Sequence, residues 1–232
     1  MLLVITGGTK GIGKATIERF ASQGFDIATC SRNEKDLQNL KKNVEKKYKV
    51  KVHTRVADLS SKTDCRVFVD FVRDLDEVIS VLINNTGTFI PGSICDEEEG
   101  NLETMIDTNL YSAYYITRGL IGEMLEVKAG HVFNICSIAS ITSYANGGSY
   151  AISKHAMHGF SKCLREEMKP HGIRVTSILP GATLTASWEG VDLPPERFIQ
   201  SSDVAEIIWS NYSLSPHAVV EEVVIRPQLG DI

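Results

Sequence analysis

Short, fully apolar runs alternate with helical patterns along the whole chain, and a chain so patterned has few ways to bury itself. "LLVIT" (2–6), "FDIATC" (25–30), "VKVHTRVA" (50–57), "VISVLINN" (78–85), "GHVFNICS" (130–137), "IRVTSILPG" (173–181) and "AVVEEVVIRP" (218–227) read as strands. Helical spacing falls between them, near 12–23, 34–48, 62–75, 98–126, 149–169 and 202–210. A strand that is apolar on both faces must be covered on both, as a parallel sheet between two helical layers is. The order predicts an α/β fold, a doubly wound open sheet of about seven parallel strands. Such sheets bind ligands at the carboxyl ends of their strands, so the chemistry is expected just after 6, 30, 57, 84, 137 and 179.

The bulk properties narrow the class. The 232 residues carry no internal repeat and no Pro/Gly/Ser-rich linker, so 1–232 reads as a single domain, with a short substrate loop at about 182–200. The five cysteines are far apart and form no CxxC pair, which reads as reduced thiols in a cytoplasmic protein. "LLVIT" after Met1 is too short for a signal peptide, and no apolar run approaches the roughly 18 residues that span a bilayer, so no membrane partner is expected. A net charge of −5 argues against nucleic acid as a partner. The lysine-rich stretch 41–51 sits over an apolar stripe of Leu37, Leu40, Val44 and Tyr48, so it reads as a solvated helix face.

The first turn, "TGGTKGIG" (6–13), joins strand to helix. Gly7, Gly11 and Gly13 are expected to supply positive-φ turns and to let backbone approach a pyrophosphate at the helix N-terminus. The spacing G-x-x-x-G-x-G differs from the G-x-G-x-x-G dinucleotide fingerprint, but its place after the first strand of a β–α–β unit makes this a Rossmann-type nucleotide site. The second strand ends "CSRN", with Ser31 and Arg32 where an acid would hold a free ribose hydroxyl. Lys10 can point to the same place, and two cations without a carboxylate favour a 2′-phosphate, hence NADP(H). Asp58, at the end of the third strand, would bind an adenine amino group or cap a helix. The Asn side chains and Gly87 of "NNTG" (84–87) suit a wall against the cofactor.

At the other end of the crevice, Ser137 closes the fifth strand, Tyr150 follows thirteen residues later, and Lys154 is one helical turn on. Asn109 lies inside the long preceding helix, where a buried amide needs a task. "TGGTKGIG", "NNTG", Asn109, Ser137, "YAISK" (150–154) and "PG" (180–181) together resemble, in order and spacing, the short-chain dehydrogenase/reductases in their single-domain form. The resemblance covers essentially the whole chain. It implies hydride transfer between a nicotinamide and a carbonyl or alcohol. Tyr150 would be the general acid, Lys154 would bind the nicotinamide ribose and lower the Tyr150 pKa, Ser137 would hold the substrate oxygen, and Asn109 would anchor a water. Pro180, Gly181 and Thr185 in "PGATLT" would hold the carboxamide. The cofactor set it implies also takes in Thr9, Ile12, Leu59, Asn85, Gly87 and Thr183. Family members pair through the helices corresponding to 98–126 and 149–169, so a homodimer or homotetramer is expected. An ammonium about 5 Å from a phenol, at an effective dielectric of ~20, is worth roughly 3 kcal/mol, or about 2 pKa units.

Other features compete for attention. His155 and His158 are three apart on a helix with no carboxylate or cysteine beside them in the chain, so no metal is expected. Cys136 sits in an apolar strand and reads as packing. Ser140 and Ser143 offer substrate contacts or loop chemistry alike. Thr86 stands where the family usually has Ala. The loop after "PG" carries Glu189, Asp192 and Glu196 against Arg197, a poor dock for an acidic carrier protein, although Lys169 and Arg174 lie nearby. The ending "VVEEVVIRPQLGDI" and Trp188 are similar to sepiapterin-reductase-like members. The expected activity is NADPH-dependent reduction of a small ketone, with Trp188 and Phe198 as candidate apolar contacts. The alternatives are a 3-oxoacyl thioester reductase and a non-catalytic dinucleotide sensor, which would need none of Asn109, Ser137, Tyr150 and Lys154.

Overall fold

A computed structural model describes residues 1–185 and 192–232. Seven parallel strands form one sheet in the order β3-β2-β1-β4-β5-β6-β7. They are β1 (Leu2–Thr6), β2 (Asp26–Ser31), β3 (Val52–Val56), β4 (Ile79–Asn84), β5 (Gly130–Ile135), β6 (Ile173–Pro180) and β7 (Glu222–Ile225). The helices are α1 (Gly11–Ala21), α2 (Glu34–Tyr48), α3 (Lys62–Arg73), α4 (Asn101–Ile106), α5 (Ser112–Val127), α6 (Gly148–Met168) and α7 (Ser201–Tyr212). The expected strands all form, and the expected helices form except that the stretch 98–126 is divided. The last strand is shorter than the apolar run that announces it.

Period-two alternation explains why the strands lack a polar face. Leu2 and Val4 point into one core with Phe68 of α3, Ile116 of α5 and Leu164 of α6. Leu3 and Ile5 point into the other with Ile17 and Phe20 of α1, Leu40 of α2 and Ile208 of α7. All five residues of β1 are buried. Local signals set the helix ends. The Asn33 side chain accepts from the Asp36 N–H at the start of α2, and Ser61 does the same for Asp64 at the start of α3. Ser61, not Asp58, is therefore the cap, and the capping alternative for Asp58 fails. The helical stretch expected over 98–126 is not continuous: a π-turn at Asp107–Tyr111 separates α4 from α5.

A buried polar chain fixes α5 and α6 on the sheet. Asn84 Nδ2 donates to Thr117 Oγ1 and to Asn134 Oδ1, each at 2.8 Å. Asn134 Nδ2 donates to Ser161 Oγ at 2.9 Å, and Ser177 Oγ donates to the same oxygen at 2.7 Å. These partners lie on β4, β5, β6, α5 and α6, and a slip of either helix would strand several of them at a cost of about 1–3 kcal/mol each. Asn84 is thus a core brace and not part of a cofactor wall.

His131, the second residue of β5, has no exposed surface. Thr176 Oγ1 donates to the Val220 carbonyl at 2.7 Å, so it accepts from His131 Nε2–H, also 2.7 Å away. Nδ1 then lies buried without a partner. Burial, helped by the Arg174 charge, pulls the His131 pKa well below its ordinary 6.5. The unfolded chain therefore takes up a proton that the folded chain refuses, and stability is lost as pH falls below about 6.5. Urea unfolding at pH 8, 6 and 5 is expected to show wild type losing more stability per pH unit than His131→Phe. The excess is bounded at about 1.4 kcal/mol per unit for one proton; parallel curves for the two proteins would refute the assignment.

Candidate active site

The strand order reverses between β1 and β4, and the chain leaving the carboxyl ends of these two strands opens a crevice. The Thr6 hydroxyl accepts from the N–H groups of Asn85 and Thr86, each at 3.0 Å. Asn85 Nδ2 donates in turn to the carbonyls of Thr6 (2.9 Å) and Gly7 (3.0 Å). Gly7 (φ +67°) and Gly11 (φ +50°) take the expected left-handed conformation. Gly13 does not; its glycine is demanded by space. A Cβ there would lie 2.4 Å from the Gly7 carbonyl oxygen and 2.7 Å from Asn85 Nδ2. The turn is a backbone cradle that any side chain at 13 would fill, and it suits a pyrophosphate at the start of α1. The Thr86 hydroxyl lies beside it, 3.1 Å from where a Gly7 Cβ would stand.

Around this turn the other candidate residues take distinct stations. Lys10, at the N-terminus of α1, and Arg32, just past β2, are exposed. Ser31 Oγ donates to the Asn33 carbonyl at 3.2 Å. Asp58 is exposed and accepts from the Ser60 N–H and hydroxyl. Leu59 is buried in the core, so only its backbone can face a ligand, and Ile12 packs partly against the opposite core. Thr9 is partly exposed. Beyond β6, the Gly181 N–H donates to the Ile225 carbonyl, and Thr183 is buried with its hydroxyl on the Gly181 carbonyl. Thr185 Cγ2 would be 2.9 Å from a Cβ at Gly11, so the segment after Pro180 folds over the glycine turn. Phe198 is buried, in keeping with packing. Trp188 and Glu189 lie outside the described residues.

Four polar side chains meet beyond β4 and β5. Strand β5 ends at Ile135, two residues earlier than expected, because Ser137 N-caps a single 3-10 turn, Ile138–Ser140. Ser137 Oγ accepts from the Ala139 N–H at 3.1 Å, and Ser140 Oγ accepts from the Ser137 N–H at 3.1 Å. Ser140 is thus a loop brace. The Ser137 hydroxyl also lies near enough to the Tyr150 hydroxyl to favour its phenolate. Lys154 is buried; its Nζ donates to the Ile135 carbonyl at 3.0 Å and lies 5.9 Å from the Tyr150 ring centroid. Asn109 sits in the π-turn, a form of helix that often marks functional positions. Its Oδ1 accepts from the Thr88 N–H (2.7 Å), and its Nδ2 donates to the Thr88 carbonyl (3.0 Å) and Ser153 Oγ (2.9 Å). A Cβ on Gly87 would be 3.3 Å from Asn109 Oδ1 and 3.4 Å from Lys154 Nζ, so the chain at 87 passes close to both side chains.

The electrostatics differ from expectation. Burial pushes the Tyr150 phenol above its ordinary pKa, and the Ser137 hydrogen bond offsets only part of that. The residue as a whole keeps some surface in water while its hydroxyl is enclosed by protein. Burial likewise lowers the Lys154 pKa. The expected depression of the phenol by Lys154 does not appear: the phenol is moved by burial, by Ser137 and by Cys136, and the net direction is upward. Burial also drives Cys136 up to about 11, which removes it as a nucleophile.

Tertiary contacts add residues that the sequence reading passed over. Phe89 meets the Tyr150 ring edge-on at 4.9 Å, and the Tyr144 phenol is close enough to Tyr150 for their negative charges to repel. Both stand close in sequence to motifs already singled out, but nothing in a linear pattern aims them at Tyr150. His158 also gains a carboxylate neighbour that its own helix lacks: Glu222 of β7 lies 3.2 Å from Nε2. Among the described residues no group of three metal-ligating side chains forms. Ser143 is exposed.

Residues 2–194 match the family model for short chain dehydrogenase. The chain belongs to this family. It is 29% identical over 224 residues to an uncharacterised oxidoreductase of Staphylococcus saprophyticus, covering 97% of this chain and 96% of that one. It is 28% identical over 239 residues to a sepiapterin reductase of Chlorobaculum tepidum, covering 100% and 98%. An alcohol dehydrogenase of Thermococcus sibiricus, solved with 5-hydroxy-NADP, shares the fold with a TM-score of 0.92 at 22% identity, over 98% of this chain and 96% of that one. The protein is thus an oxidoreductase of the short-chain dehydrogenase family with NADP-bound structural neighbours. No helix among the described residues is long and apolar enough to cross a membrane.

The thiols provide a check on the site's packing. Cys30 and Cys65 are driven to about 12 by burial, while Cys95 and Cys163 are exposed. Iodoacetamide at pH 8 is expected to label Cys95 and Cys163 in the native protein. Cys30, Cys65 and Cys136 should react only after urea unfolding; native labelling of Cys136 by mass spectrometry would contradict the enclosed site.

Proposed function

We propose that this chain is an NADPH-dependent carbonyl reductase acting on a small ketone, with 1–232 serving as one dinucleotide-binding and catalytic domain. The observation that carries the reading is the meeting of Ser137, Tyr150 and Lys154 beside Gly87, at the carboxyl ends of β4 and β5 and across from the glycine cradle. Gly7, Gly11 and Gly13 would hold the pyrophosphate, Lys10, Ser31 and Arg32 would take the 2′-phosphate, and Asp58 and Leu59 would contact the adenine. Pro180, Gly181, Thr183 and Thr185 would hold the carboxamide. NADPH, when bound, supplies the hydride, which carries both electrons to the carbonyl carbon.

The chain's own residues handle the proton. Ser137 donates a hydrogen bond to the substrate oxygen and fixes its direction. Tyr150 gives its proton to that oxygen as the carbonyl π-bond breaks, leaving an alcohol and a phenolate. Lys154 neutralises that phenolate, and Asn109 holds the Thr88 backbone and Ser153 so that the donor keeps its place. Because its pKa stands above the ordinary phenol value, Tyr150 is protonated at neutral pH, the state that reduction requires. Exposed Tyr111 and Tyr114 near and on α5, and Ile152 on α6, support a homodimer or homotetramer.

Two substitutions separate binding from chemistry. Tyr150→Phe is expected to lower kcat by about 10²–10⁴ while the NADPH Kd, read by fluorescence titration, moves less than about threefold. Unaltered turnover would remove Tyr150 as the acid. Arg32→Asp is expected to weaken NADPH at least about tenfold relative to NADH, because a carboxylate repels the 2′-phosphate. An unchanged ratio of kcat/KM for the two coenzymes would show that Arg32 does not clamp it.

A further inference from the structure

Three large apolar side chains stand in solvent on and beside the segment that leads into Tyr150. Phe89 is 38% exposed, Tyr144 47% and Ile94 69%. Single exposed hydrophobic residues are ordinary, but a cluster beside a reactive group marks a contact surface. Phe89 meets the Tyr150 ring edge-on at 4.9 Å. The Tyr144 ring lies on Gly147 and Ile94 on Gly148, so closely that a Cβ would come within 2.6 Å and 2.7 Å of them. Those two glycines lead directly into the helix that carries Tyr150.

The surface is tied together by main chain. The Gly92 N–H donates to the Asn146 carbonyl at 2.9 Å, and the Gly148 N–H donates to the Gly92 carbonyl at 3.1 Å. The Ser149 hydroxyl bonds the Glu97 carboxylate across the same seam. The loop after β4 and the loop before α6 are thereby joined into one wall. A wall ordered in advance loses less freedom when a ligand arrives. Its outer rim is acidic, since Asp96, Glu98 and Glu99 follow Ile94 and all three are exposed. Such a rim repels phosphate-bearing thioesters and acidic carriers.

We propose that the substrate is an uncharged, flat carbonyl compound whose ring lies against Phe89, Tyr144 and Ile94, and that these residues set the specificity. This rests on the reading of Tyr150 as proton donor. The wall selects conjugated or ring-fused ketones over open-chain ones and over anionic thioesters, because flat apolar rings gain both buried area and edge-to-face contact.

The test is calorimetric titration of the NADP⁺-loaded protein with isatin, diacetyl and acetoacetyl-coenzyme A, with reduction rates measured alongside. Isatin should bind at least about tenfold more tightly than diacetyl, and the thioester most weakly. Phe89→Ala and Tyr144→Ala should each cut the isatin-to-diacetyl affinity ratio about tenfold, Phe89→Leu less, and Tyr144→Phe hardly at all. Thermal melting and NADPH affinity verify that each variant folds. Equal affinities for the two ketones in wild type, binding of neither, or equal losses for both in the alanine variants would overturn the proposal. Selective binding of isatin without its reduction would leave this recognition standing and defeat the reductase reading. Tyr150-dependent reduction of both ketones without preference would do the reverse.

Discussion

The Thr6 hydroxyl accepts two backbone N–H groups from Asn85 and Thr86 just where the strand order reverses. From β1 the chain runs outward to β2 and β3; from β4 it runs the other way, through β5 and β6 to β7. The crossovers must diverge at that point, and divergence exposes backbone polar groups that need partners. Thr6 and Asn85 satisfy them. The same bonds hold the glycine turn beside β4 so tightly that position 13 has no room for a methyl group. The cradle is thus a by-product of closing the sheet at its switch point.

The proton-handling end depends on a second constraint, the enclosure of Lys154. An ammonium taken from water needs a compensating acceptor, and the Ile135 carbonyl provides it. Its helix cannot slide, because Ser161, two turns further along the same face, is tied through Asn134 and Ser177 to two strands. Enclosure has opposite effects on the two partners. It lowers the lysine and raises the phenol, so both shift toward their neutral forms. The attraction between ammonium and phenolate, taken alone at a moderate dielectric, predicts the reverse for Tyr150. For Tyr150 desolvation of the phenolate is the largest effect, and the Ser137 hydroxyl offsets part of it.

Much of this was visible in the bare chain. The span of α2 follows from a lysine-rich stretch over the apolar stripe Leu37, Leu40, Val44 and Tyr48, and the parallel sheet follows from strands with no polar face. Tyr150 and Lys154 share a helix face by spacing alone. The reading fails where a contact is made across the chain. Gly13 looks like a conformational glycine and is a steric one. Ser137 looks like the end of a strand and is a cap. Glu222 approaches His158 from a strand 64 positions away, and no local pattern carries that.

By its order of apolar runs and turns, the chain alone determined a doubly wound sheet, a glycine-lined turn and a tyrosine–lysine pair one helical turn apart, because periodicity and turn chemistry act over a few neighbouring residues. Only the folded arrangement decided that Phe89 packs on Tyr150 and Tyr144 on Gly147, that Asn109 sits in a π-turn clamped to Thr88, and that burial moves the phenol's pKa upward. Those outcomes depend on distances between segments far apart in sequence and on how much water each packing excludes, and neither quantity is encoded at any single stretch of residues.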